Sequence, residues 1–467
     1  MKLLQESMLL QESTVDELKE HFQGNVLVPG DADYDEVRQI WNAMIDRRPA
    51  LIARCASPED VIRAVRFSRN HNLLVSVRGG GHNIAGNCVC DDGIMIDLSL
   101  MKNIMVDTKA RRATVEPGCT LADFDAAAQV HGLVTPLGIN STTGVAGLTL
   151  GGGFGWLSRK YGMTIDNLLS VDVVMADGTR MHTSKTENEE LFWGLRGGGG
   201  NFGIATCFEF QLHQLGPDVL SGLIVFPFDQ AKSVLTQFAR FTESMPDNLN
   251  VWMVARKAPP LPFLPENVHG KEIIVLAVCY AGDTREGEKL IAPLRGFGTA
   301  YGEQIGMQRY TAWQQTFDPL LTKGARNYWK SHNFTKISDG VIDAIIEYAG
   351  KLPSPQCEIF IGTIGGQTTH VAPDAMAYSS RDANYVMNVH GRWESFADDA
   401  RCISWARDFF ARSKPFASAG AYINFLTQEE TDRIAFAYGA SYKRLAELKK
   451  RYDPTNHFRM NQNIKPA

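Results

Sequence analysis

Three glycine clusters in the first half of the chain constrain its fold more than any other feature. They read Arg78-Gly79-Gly80-Gly81-His82-Asn83, GLTLGGGFG over 147–155, and Gly197-Gly198-Gly199-Gly200-Asn201-Phe202-Gly203. Glycine tolerates positive φ and lets backbone N–H groups approach a ligand closely. Consecutive N–H groups can cradle a pyrophosphate. A turn would account for one cluster. Three of them, one bearing a histidine, point to a bound ligand.

The third cluster contains Gly198-x-Gly200-x-x-Gly203, the dinucleotide-binding pattern. That pattern needs a strand before it and a helix after it. Here ENEELFWGLR reads as a helix before it and IATCFEFQL as a strand after it. The order is reversed, so no Rossmann site and no tight NAD(P)H binding are expected.

Around these loops, residues 51–210 alternate short β-rich runs with short helices. LIARC (51–55) and LLVSVRG (73–79) read as strands, as does GIMIDLS. Ser57-Pro58-Glu59-Asp60 is a helix start, with a capping serine, proline in the first turn and acids at the positive helix end. IMVDTKARRATVEPG and LLSVDVVMADGTRMHTS read as hairpins, the second turning at Ala176-Asp177-Gly178. The pattern is α+β and not a parallel βαβ series. From about residue 217 longer strands (VLSGLIVFPF, LNVWMVARKAP, KEIIVLAVCYAG, CEIFIGTIGG, YVMNVHGRW) alternate with amphipathic helices at 229–244, 284–294, 338–351 and 396–412. A large sheet covered on one face by helices is expected. A helix at 428–451 and an ordered, amide-rich tail follow.

The 467 residues are 44% hydrophobic, enough for two or three domains. A net charge of −5 without a basic run gives no sign of nucleic-acid or anionic-membrane binding. No stretch approaches the roughly 20 apolar residues of a membrane span. The N-terminal 22 residues read as a short amphipathic helix and not as a signal peptide, so a cytoplasmic protein is expected. Eight scattered cysteines, mostly in apolar contexts, read as free buried thiols. Cys88 and Cys90 form the one close pair, and no metal site is expected from them.

His82 is the sharpest single residue. It follows a buried strand, between three glycines and an asparagine. A reactive imidazole needs little steric competition and a close backbone, and this loop supplies both. A general base or a phosphate-contacting histidine would sit equally well there.

The segments SVRGGGHNIAG, DDGIMIDLS, LTLGGGFGWLSRKYG, DNLLSVDVVMADG, ELFWGLRGGGGNFGI and YDPTNHFRMNQNI resemble the berberine-bridge-enzyme-like branch of the FAD-linked oxidases. The resemblance runs from about residue 25 to the C-terminus. It implies the vanillyl-alcohol-oxidase fold, with a PCMH-type FAD-binding domain of two α+β subdomains at 1–216 (core about 46–216). It also implies a substrate domain with a large antiparallel sheet covered by helices at 217–425, and a return to the FAD domain at 426–467.

By the same resemblance His82 carries the flavin 8α-methyl bond. Cofactor contacts fall on Arg78, Gly79, Gly80, Gly81, Asn83 and Gly86 in the first loop. They continue at Thr142, Thr143, Gly147 and Gly151, then at Gly198, Gly203 and Ile204, and finally at Asn461 and Asn463 in the tail. Many members add a cysteinyl bond from a C-x-x-[VT]-G motif. Here Asn140 occupies the cysteine position before Gly144, and 136–146 contains no cysteine, which implies a single link.

The implied chemistry is removal of hydride from a C–H next to O or N, while a base takes the O–H or N–H proton. Dioxygen would then reoxidise the flavin. Glu358 is the candidate base. Phe360, two residues on, shares its face, where a relative carries a second glutamate. Tyr422 and Asn424 in GAYINFL are further catalytic candidates on an aromatic-rich strand, and Tyr328 and Lys330 in NYWKSHNF are further pocket candidates. The expected partners are a small molecule, aromatic or polyketide-like, and O2, with no nucleic acid or membrane and a monomer or homodimer. Two other activities fit the resemblance: a flavin-dependent oxygenase or oxidative cyclase of natural-product biosynthesis, and an antibiotic-binding resistance flavoprotein.

Overall fold

The computed structural model describes residues 12–418 and 420–467. The N-terminal helix spans Glu12–Glu20, and the earlier part of the amphipathic stretch lies outside the described residues. The expected helix start at Ser57 forms. Its hydroxyl accepts from Asp60 N–H at 3.3 Å, and Pro58 opens the helix Pro58–Asn70.

Two small sheets, with a two-stranded ribbon pairing Leu133–Val134 with His213–Gln214, build the first half. In one, Leu51–Arg54 and Val75–Arg78 flank Ile94–Asp97 in parallel, and Asn25–Leu27 adds an antiparallel edge. The other is antiparallel, in the order Ile104–Asp107, Arg112–Val115, Ile204–Gln211, Leu168–Val174, Arg180–Ser184. Both expected hairpins are present within it. Gly178 takes φ +77° in the second turn, as that tight connection requires.

The second half is one seven-stranded antiparallel sheet. Its order is Gly302–Arg309, Asp218–Pro227, Glu272–Tyr280, Leu249–Lys257, Glu358–Thr363, Tyr385–Trp393, Arg326–Phe334. Period-two alternation divides its faces. Val251, Met253, Ala255, Ile274, Leu276, Ile359 and Ile361 pack into a core with helices Ala231–Glu243, Asp339–Ala349 and Asp399–Ser413. Truncating one of these, such as Ile359→Ala, costs about 2–5 kcal/mol. The alternate residues Trp252, Val254, Arg256, Ile273, Val275, Glu358 and Phe360 face a deep cleft.

The strand Gly302–Arg309 was not legible because it is an exposed polar edge with no apolar alternation. The continuous helix expected at 428–451 is instead broken. Helices Ile434–Tyr438 and Tyr442–Tyr452 flank Gly439, whose φ of +54° and ψ of −133° lie outside helical space. The chain then returns to the third glycine loop. Lys449 Nζ donates to the carbonyls of Asn201 (2.6 Å) and Phe458 (2.8 Å), and Ile464 N–H donates to Asn201 Oδ1 (2.9 Å). No helix among the described residues is long and apolar enough to cross a membrane.

Candidate active site

The glycine loops and the open face of the seven-stranded sheet enclose one cleft of about 380 Å³. That is within the roughly 300–1,000 Å³ range of small-molecule sites. Arg78 ends its strand in a two-pronged ion pair with Asp97, at 2.9 and 2.6 Å, and so anchors the first loop without lining the cleft. Beyond it, Gly80 lies so close to Gly144 that a Cβ would fall 2.3 Å from the Gly144 nitrogen. The first two loops therefore touch backbone to backbone, and this contact brings His82 to Thr142.

His82 lines the cleft. Its ring stacks on Trp41, with centroids 5.1 Å apart and planes at 22°. Its Nε2 lies 2.9 Å from Thr142 Oγ1, which in turn lies 2.8 Å from Asn140 Oδ1. Burial pushes the imidazole pKa down to about 3, so the ring is neutral at ordinary pH. Trp41 gave no sequence signal: it lies 41 residues upstream and reaches the loop only through the fold.

Gly79, Gly80, Gly81, Asn83, Thr143, Gly147, Gly203, Ile204 and Asn461 also line the cleft. Gly147 and Gly200 face open space, where an added Cβ would meet nothing within 4 Å. Asn461 donates to the Gly200 and Phe458 carbonyls, while its buried Oδ1 has no partner among the described residues. Open backbone cradles and a waiting acceptor fit a dinucleotide-type cofactor. The third loop does run helix (Glu189–Leu195) to strand (Ile204–Gln211), the reverse of a Rossmann turn.

Six expected cofactor residues stand behind the lining. Besides Arg78, Gly86 (φ +75°) turns the chain against Ile45, Gly198 accepts from Asn201 and Tyr438, and Gly151 packs on Asn424. Asn463 also lies outside the lining. Thr142 meets the cleft through His82.

On the sheet side, Glu358 has Arg256 as its cross-strand neighbour on one side and His390 on the other. Arg256 Nη1 donates to Glu358 Oε2 at 2.7 Å, and His390 Nδ1 lies 3.3 Å from Oε1. Burial alone would raise the Glu358 pKa. The Arg256 charge and the His390 contact outweigh it and hold the carboxyl below its usual range. Burial likewise lowers the His390 pKa, against the pull of Glu358.

Asn327 fixes the other side of the ring. Its amide nitrogen donates to the Ala325 carbonyl (2.8 Å), so its Oδ1 faces His390 Nε2 (3.1 Å) and accepts from Arg392 Nη1 (3.3 Å). Aromatic rings surround this polar row. Trp252 and Phe360 lie parallel at 5.7 Å and 4°, and Trp329 and Phe425 close the side.

Tyr422 and Asn424 line the cleft on a 3₁₀ turn, Ile423–Phe425, and not on a strand as the sequence implied. The Tyr422 oxygen accepts from Gly153 N–H (3.0 Å) and from the Asn424 amide (3.1 Å), and burial pushes its pKa up to about 12. The phenol therefore keeps its proton and can offer it to the cleft. Asn424 orients Tyr422.

Tyr328 and Lys330 do not line the cleft. By period two they share the opposite face from Trp329, and they bond to Glu429, Lys330 at 2.7 Å. All eight thiols are free, and Cys88 lines the cleft near His82.

A family model described as an FAD binding domain matches residues 49–184, and one described as berberine and berberine like matches 421–465. An FAD-linked oxidoreductase of Dictyostelium discoideum is 33% identical, over 97% of this chain and 97% of that one. The (R)-6-hydroxynicotine oxidase of Paenarthrobacter nicotinovorans is 32% identical, over 95% of this chain and 97% of that one. The crystal structure of 6-hydroxy-D-nicotine oxidase from Arthrobacter nicotinovorans superposes with a TM-score of 0.86 at 30% identity, covering 96% of this chain and 98% of that one. Matches of this length join both glycine-loop sheets, the large sheet and the returning tail in one assignment: the chain belongs to the berberine-bridge-enzyme-like family of FAD-linked oxidoreductases.

Proposed function

We propose that the protein is an oxidase that holds FAD through a single covalent bond to His82, oxidises a neutral hydroxylated aromatic or polyketide-like metabolite, and passes the electrons to dioxygen. In this reading residues 1–216 and 426–467 bind the cofactor, and 217–425 bind the substrate. The observation that carries it is the facing of His82 and the Arg256–Glu358–His390 row across one aromatic-walled cleft.

FAD, when bound, supplies the hydride acceptor. The glycine loops, with Asn461, hold its polar parts. Trp252, Phe360 and Trp329 exclude water and match a flat apolar substrate. A free sugar would need more hydrogen-bond partners than these walls offer. Glu358 and His390 take the proton of the reacting hydroxyl, and Tyr422 donates a hydrogen bond into the cleft. A similar relative is named for 6-hydroxynicotine, a hydroxylated aromatic ring. Asn140 in the position of the second link supports one bond per flavin.

Acid precipitation of the purified protein tests the reading. Yellow colour should stay with the pellet, on a peptide containing His82, and His82→Ala should release it. Flavin found wholly in the supernatant of the unaltered protein would end the covalent claim, and a flavin-bearing peptide from 136–146 would end the single-link claim. Aerobic turnover without peroxide would remove the oxidase assignment.

A further inference from the structure

We infer that Asn140 and Thr142 form a tautomer lock that makes Nδ1 of His82 the nitrogen that bonds the flavin. The inference rests on the covalent reading above and adds to it which residues prepare the histidine. It follows from counting donors.

Asn140 Oδ1 accepts the backbone N–H of Thr142 at 3.2 Å, which orients the amide with oxygen toward Thr142. The Thr142 hydroxyl lies 2.8 Å from the same oxygen, which has no proton to give. The single hydroxyl proton therefore points at Asn140. Toward His82 the Thr142 oxygen can only accept, across 2.9 Å. The proton on the neutral ring must then sit on Nε2. Nδ1 keeps its lone pair.

Trp41 stacked on the ring holds it in this orientation, and the Trp41 backbone N–H donates to the Gly81 carbonyl at 3.0 Å. The lowered pKa of the imidazole agrees, since a ring that stays neutral is a nucleophile throughout the ordinary pH range.

One bond forms between Nδ1 and the 8α-carbon, and one 8α C–H bond breaks. The methyl proton and the Nε2 proton leave to solvent, and the isoalloxazine takes up the electron pair. Dioxygen removes that pair and leaves, with two protons, as hydrogen peroxide. Thr142 and Asn140 are positioning residues: they set which nitrogen attacks and take no part in the redox change.

The test follows attachment and not turnover. Full-length protein from riboflavin-starved cells is given FAD, and the acid-stable flavin is measured against time. Thr142→Val keeps the shape and removes the acceptor. Losing one hydrogen bond of ordinary worth should slow attachment roughly three- to tenfold. Thr142→Ser should restore the rate, and Asn140→Ala should fall between. Nitrogen NMR of the flavin-free protein should show His82 with its proton on Nε2, and Thr142→Val should show a mixture of tautomers.

Attachment by Thr142→Val at the unaltered rate, or a proton found on Nδ1, would overturn the lock while leaving the covalent reading in place. Flavin that never becomes acid-stable in the unaltered protein would overturn both.

Discussion

Glu358 Oε1 lies 3.3 Å from His390 Nδ1 while Asn327 Oδ1 lies 3.1 Å from His390 Nε2, so a neutral ring has one proton for two acceptors. Arg256 sits on the other Glu358 oxygen and helps hold the carboxyl below its usual range. A proton arriving from a substrate hydroxyl would satisfy both acceptors and complete a charge-assisted hydrogen bond to Glu358. This is how a carboxylate of low pKa can act as the proton acceptor: the pair accepts, and the macroscopic pKa belongs to both groups.

Glu358→Gln keeps the shape and removes the charge. Flavin reduction, followed anaerobically by stopped flow, should slow by about 10²–10⁴-fold, the usual worth of a positioned base, with substrate binding little changed. Unaltered reduction kinetics would make Glu358 structural. Tyr422→Phe would then be the next variant, because Tyr422 offers the other ionisable oxygen on that side of the cleft.

Arg256→Met should move the acid limb of the rate profile. The acceptor works deprotonated, so activity falls as pH drops through its pKa. In the unaltered protein the Arg256 charge holds that pKa low, which keeps activity flat through mild acid. Removing the charge should move the limb to higher pH. A limb that stays in place would detach Arg256 from the proton transfer.

The sequence placed Glu358 and Phe360 on one face correctly, because period two is local. It could not supply Arg256 and His390, which join Glu358 only through strand register across more than a hundred residues of chain and 32 residues respectively. The same limit explains the misplaced pair on Arg326–Phe334. Alternation says that Tyr328 and Lys330 share a face and that Trp329 takes the other. It does not say which face is covered by helices. In the tail, Asn461 meets the cleft and Asn463 does not, since the chain has no regular period there to read.

NADH and NADPH should leave the flavin oxidised. The Gly198-x-Gly200-x-x-Gly203 segment runs from helix to strand, so no helix N-terminus is aimed at a nicotinamide dinucleotide's pyrophosphate there. Anaerobic mixing with either nucleotide should not bleach the flavin absorbance. Rapid bleaching would make the protein a reductase.

Asp125, on the helix Leu121–Gln129, is buried and, among the described residues, its carboxylate accepts one hydrogen bond, from Gln314 Nε2 at 3.0 Å. Burial pushes its carboxyl up to about 7, and the Gln314 contact offsets only part of that. The folded state therefore holds a proton that the unfolded chain releases near 3.8. The stability from this group is fully present below the unfolded pKa. It is lost as pH rises through the folded pKa, so the window runs from about pH 4 to about pH 7. A shift of this size corresponds to about 4 kcal/mol. Asp125→Asn is nearly isosteric, keeps an oxygen for Gln314 and cannot ionise. It should melt close to the unaltered protein at pH 4 and above it at pH 8. The measured quantity is the difference between the two melting temperatures at each pH, because every other titrating group is common to both proteins. A difference that is the same at pH 4 and pH 8 would show that Asp125 stays ionised in the fold, with Gln314 alone sufficient to hold the charge.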